Sequence, residues 1–91
     1  MPILNDISGG QISGTGILLC PSGILGEVNI VADGTNACTV VIRENDSSGR
    51  IVYQTSTKSP FDTQAPRRAA RNIYYSITGT GGTAQIFEWI D

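Results

Sequence analysis

Apolar and polar residues alternate along most of this chain, in short runs separated by turn residues. The run from Ala37 to Glu44 is the cleanest: Cys38, Val40 and Ile42 point one way, and Thr39, Val41 and Arg43 the other. That period of two marks a half-buried strand. An earlier run, Ser13 to Cys20, stops at Pro21-Ser22-Gly23, and Ile24 to Ala32 follows with Ile24, Val28 and Ile30 expected on one face. Asp33-Gly34 then gives the dipeptide favoured in tight hairpins. After the turn Asn45-Asp46-Ser47-Ser48-Gly49 comes Arg50 to Thr57, with Ile51 and Tyr53 expected to share a face. Asn72 to Thr78 carries Ile73, Tyr75 and Ile77 together. Past the glycine-rich Thr78–Thr83 turn, Ala84 to Ile90 sets Gln85, Phe87 and Trp89 against Ala84, Ile86 and Ile90.

Counting a short strand near Ile3 to Ile7, the pattern predicts six to eight strands. The fold class is all-β: a small antiparallel β-sandwich or a jelly-roll-like barrel. Residues 1–91 read as one such domain, with 1–12 as an N-terminal arm and 58–71 as a long basic loop. That loop breaks the strand rhythm, because Pro60 and Pro66 exclude a central strand. Pro66 is suited to open a helical turn over Arg67 to Asn72.

Composition narrows the chemistry. Charged residues are only 15% of the 91 positions, Lys+Arg 6 against Asp+Glu 8 gives a net charge of −2, and there is no His. The commonest general base and zinc ligand is therefore missing. The acidic balance argues against nucleic acid as a partner. The longest apolar run, Gly16 to Cys20, falls far short of the ~20 residues of a membrane span. The start shows no basic segment followed by an apolar one, so synthesis in a cytoplasm is expected, with no membrane partner. Cys20 and Cys38 read as small buried apolar residues; a bond between them is the less favoured alternative in a reducing compartment.

Motifs for chemistry are weak. Gly9-Gly10-Gln11-Ile12-Ser13-Gly14 and Gly79-Thr80-Gly81-Gly82 lack the Lys and the following helix of a phosphate loop. Glu44, Asp46, Ser48 and Gly49 meet part of a calcium-loop spacing, but Thr55 stands where the bidentate acid belongs. An Asx-type hairpin turn, in which Asn45 and Asp46 can cap their own backbone, is the simpler reading. No cofactor, metal or catalytic residue is assigned, and the chain reads as a non-enzyme. Four of the six cations, Lys58, Arg67, Arg68 and Arg71, fall in the segment that breaks the rhythm. They suit either a solvated loop or a docking arm toward acidic partner groups. If Ile86 and Ile90 face the core, Phe87 and Trp89 face outward as an interface; in the reverse register they are buried. The candidate partner-binding residues are Arg67, Arg68, Arg71, Phe87 and Trp89.

The segments Gly26–Ala32, Thr39–Glu44, Ser47–Tyr53 and Ile73–Trp89, with their Ser-Gly hairpin and Thr-Gly-Thr-Gly turn, resemble small β-sandwich virion proteins of tailed bacteriophages. The resemblance spans roughly Gly23 to Trp89 and is one of pattern. It implies a capsid cement or decoration protein, made in the host bacterial cytoplasm and located in the virion. Such a protein would be a homo-oligomer, a trimer by preference, that bridges neighbouring subunits of the major capsid protein. The alternatives are a small tail or head–tail component, or a tail-associated module recognising host glycan or surface protein.

Overall fold

Alternation at a period of two gives each strand one apolar face, and sheets built from such strands bury those faces against each other. The structure, a computed structural model, describes residues 3–90. Nine strands follow in order: β1 (Ile3–Asp6), β2 (Gly14–Leu19), β3 (Ile24–Val31), β4 (Cys38–Glu44), β5 (Ile51–Thr57), β6 (Asp62–Gln64), β7 (Arg68–Ala69), β8 (Asn72–Thr78) and β9 (Thr83–Ile90). They form two antiparallel sheets. One has the order β1-β9-β3-β6, with β7 also paired to β3, and the other has the order β2-β8-β4-β5. The chain is all-β, a small β-sandwich, with no helix among the described residues.

Leu25, Val28, Ile30, Ala84 and Ile86 from the first sheet meet Cys38, Val40, Ile42, Val52, Ile73 and Ile77 from the second, all buried. Cys20 and Cys38 are both buried free thiols. Burial raises the pKa of each thiol, which keeps it protonated.

Several expectations are corrected. The segment 58–71 is not a plain loop, because it carries β6 and β7, two short edge strands against β3. The prolines flank β6 and leave the sheet interior intact. The helical turn over Arg67–Asn72 is absent: Arg67 has φ of 47°, outside the helical region, and β7 pairs with Ile24 and Leu25. The 1–12 segment carries the short strand expected near Ile3 in its described part. β1 pairs with β9, and Ile12 bridges Ala84; Met1 and Pro2 lie outside the described residues.

Two bulges shift the expected faces. One, at Gly26 between Leu25 and Glu27, puts Leu25 in the core where Ile24 was expected. The other lies at Val52, where Ile42 pairs with Tyr53 but Arg43 pairs with Ile51. Tyr53 therefore shares Ile42's inner face, while Ile51 turns outward with Arg43. Finally, Asp33-Gly34 is not a hairpin turn, since β3 and β4 belong to different sheets. Asp33 caps the crossing by accepting the N–H groups of Thr35 and Asn36 at 2.8 and 2.6 Å. The turn between β4 and β5 is a hairpin, with Asp46 accepting from the Ser48 N–H at 2.9 Å.

Candidate partner-binding face

The phase of β9 decides where its aromatic residues go. Ala84, Ile86 and Glu88 are buried, so Gln85, Phe87 and Trp89 lie on the outer face of the first sheet. Phe87 and Trp89 are half-buried there. Leu4 on β1 pairs with Trp89 on one side, and the bulge at Gly26 lies on the other. The glycine leaves room for this close approach: a Cβ there would sit 2.9 Å from the Leu4 Cδ2 tip and 3.1 Å from the Trp89 backbone nitrogen.

The chain leaving β6 returns over this face. Arg67 lays its guanidinium 5.1 Å from the Trp89 ring centroid, within the range of a cation–π contact. Leu4, Gly26, Glu27, Ala65, Arg67 and Trp89 together line an open cleft of about 190 Å³. Phe87 continues the face, paired with Asp6 on β1 and Glu27 on β3. The indole nitrogen of Trp89 and the side-chain oxygen of Asn29 are buried without a hydrogen-bond partner among the described residues.

Glu88 fixes this arrangement from beneath. It is 4% exposed, accepts the Ser22 N–H at 2.9 Å and accepts Asn5 Nδ2 at 2.7 Å. The Ser22 N–H, helped by Asn5 and working against burial, holds its carboxyl below the usual glutamate range. One carboxylate thus ties β9 to β1 and to the turn after β2.

The sequence candidates do not all converge. Arg67, Trp89 and Phe87 share the outer face. Arg68 sits on β7 opposite Leu25, exposed. Arg71 lines a different cleft of about 460 Å³ with Ser22, Gly23, Glu44, Asn45 and Asn72. Glu44 itself is engaged by Arg50 at 2.5 Å, on the surface. Among the described residues no group of three or more acidic or thiol side chains is placed to hold a metal. Leu4, Gly26, Glu27 and Glu88 were not singled out from sequence. Glu88 had a readable signal, being an acid in phase with Ala84 and Ile86, which are buried.

No protein-family model, curated protein or solved structure matches this chain.

Proposed function

We propose that this chain is a non-enzymatic binding and structural module whose working surface is the outer face of the β1-β9-β3-β6 sheet. The observation that carries this reading is Arg67 stacked on Trp89, with Leu4 and Phe87 beside it. Trp and Arg are the residues most enriched where proteins bind proteins. In this role Trp89, Phe87 and Leu4 bury apolar area against a partner subunit. Arg67 moves from the indole to a partner carboxylate, or stays stacked and presents its free N–H groups. Arg68 and Arg71 act at the margin, outside the aromatic patch. The contact works by burial and charge pairing and needs no bond-making step.

The resemblance of Gly23–Trp89 to small virion proteins of tailed bacteriophages supplies the setting. The partner is then a major capsid protein, and the role is that of a cement or decoration protein bridging its subunits. Recognition of a host glycan by Trp89 fits less well, because a sugar ring would have to displace Arg67 from the indole face. The test is electron cryo-microscopy of virions purified from the chain's own source. Density for this sandwich at symmetric capsid sites, with the Trp89 face inward, is expected. Virions that lack the chain, or carry it with that face toward solvent, overturn the reading.

A further inference from the structure

The first and second sheets run in step across the sandwich. Tyr53 on β5 donates its hydroxyl to Gln64 on β6 at 3.1 Å, β5 touches β7, and β8 lies against β9. The edge strands β1 and β2 therefore share one side wall. The exposed large apolar residues concentrate there. Six are recorded among the described residues, and four of them, Ile3, Leu4, Ile17 and Leu19, belong to β1 and β2.

A sheet edge carries a row of unpaired backbone donors and acceptors, and folded proteins usually blunt it with charge, proline, bulges or short length. Three of the four edges here are blunted. β1 has four residues and ends at Asp6, β6 lies between Pro60 and Pro66, and β5 is bulged at Val52. β2 has none of these devices. It is six residues, Gly14-Thr15-Gly16-Ile17-Leu18-Leu19, without charge or proline. Ile17 and Leu19 are 62% and 65% exposed. The Cys20 N–H donates to the Arg71 carbonyl. By antiparallel alternation, Leu18 and Gly16 also turn their backbone groups to β8, while Thr15, Ile17 and Leu19 turn theirs outward.

We infer that this edge is a self-association site, and that a second copy of the chain pairs its own β2 with it, antiparallel, across a two-fold axis at Ile17. The register follows from the ends of the free run. Gly14, with φ of 76°, closes it on one side and Cys20-Pro21 on the other, so its centre is Ile17. Ile17 then faces its own copy, and Thr15 faces Leu19 in both directions. No charged side chain belongs to the paired strands, and the two Arg71 copies lie at opposite ends. Two four-stranded sheets become one of eight strands.

The contact is small. β2 is about 20 Å long, and the shortest dimension of the molecule is 19 Å, a footprint of about 400 Å² per protomer in projection. That is half of the ~800 Å² typical of stable complexes. The dimer is therefore weak, with a dissociation constant above ~1 µM. This inference does not depend on a virion setting.

Sedimentation velocity from about 10 µM to about 1 mM tests it. The mass should rise from that of the 9.6 kDa monomer toward twice that value. Ile17→Lys, which sets two cations against each other at the axis, should weaken the dimer at least ~10-fold. Ile51→Lys, on the opposite edge, should leave it intact. Directly opposed Cα atoms ~5.5 Å apart suit a disulfide, so Ile17→Cys under mild oxidation should yield a covalent dimer of folded protein and Ile51→Cys should not. A monomer throughout the range, a trimer, a dimer indifferent to Ile17→Lys, or no cross-link at position 17 would each overturn the inference.

Discussion

Replacing Glu88 tests how the candidate face is held. Its carboxylate is buried beneath β9 and accepts from Ser22 N–H and Asn5 Nδ2 at 2.9 and 2.7 Å. A hydrogen bond to a charged group contributes about 1.5–3 kcal/mol, and burying the carboxylate offsets part of two such bonds. Glu88→Ala also leaves the Ser22 N–H without its acceptor, so we expect a loss of about 2–4 kcal/mol, a large fraction of a small domain's stability. Glu88→Gln keeps an acceptor for Ser22 but lacks the charge, and should cost about 1–2 kcal/mol. Urea denaturation at neutral pH, with the slope unchanged, measures both. The pH dependence gives an independent check. The folded-state pKa of Glu88 lies below its ordinary value of 4.5. Its contribution is therefore fully present above that value and disappears as pH falls through the lower, folded-state value. Asp6 and Asp33 are lowered in the same direction and remain in both proteins, so the difference between wild type and Glu88→Gln isolates Glu88. That difference should shrink on acidification. Two variants within about 0.5 kcal/mol of wild type, or a difference that grows toward acid, would refute the reasoning.

The outer face yields two more expectations. Gly26→Ala turns the Leu4 side-chain tip aside and presses on the β9 backbone, since the added Cβ would lie 2.9 Å from Leu4 Cδ2 and 3.1 Å from the Trp89 nitrogen. It should destabilise by about 1–3 kcal/mol and shift Trp89 fluorescence, both read in one denaturation series. Arg67→Ala removes the guanidinium from the indole, which should cost no more than about 1 kcal/mol at this exposed position. Trp89 is the only tryptophan, so its accessibility to a neutral quencher should rise; unchanged quenching would mean that Arg67 does not cover it in solution.

Alternation made β4 and β8 readable, because each keeps one phase from end to end, while in β9 it marked the strand but left open which face turns inward. Cys38, Val40 and Ile42 are buried as the pattern requires, and so are Ile73 and Ile77. Where a bulge changes the phase, the reading failed: Leu25 replaced Ile24 in the core and Ile51 parted from Tyr53. A bulge inserts one residue without a compositional mark, although Gly26 is a hint in hindsight. Sheet membership was also hidden, since a strand's inner face looks the same from either side of a sandwich. Asp33-Gly34 therefore reads as a hairpin while it serves a crossing between sheets. The candidate face was half legible. Trp89, Phe87 and Arg67 stood out by type, but their meeting depends on the return of the chain after β6, through Arg67 at φ of 47°, which no local pattern encodes. In β2 three consecutive apolar residues, Ile17-Leu18-Leu19, carry no mark of which of them turn outward.

The two surfaces meet at Leu4. It pairs with Trp89 on the outer face of the first sheet and stands on the side wall that β1 shares with β2. A monomer with only the Trp89 face could coat a partner but not join two of them, whereas a two-fold pair through β2 presents that face twice. Bridging then does not require a strong contact at either surface. Once one copy is held on a partner array, its neighbour's β2 is at high effective concentration, and a weak edge pairing is enough to close the link. The small footprint at β2 suits this use: the edge stays open in dilute solution and closes where copies are already held side by side. The proposed function and the edge pairing thus support each other while resting on different residues, with Trp89 and Arg67 for the partner and Ile17 for the copy.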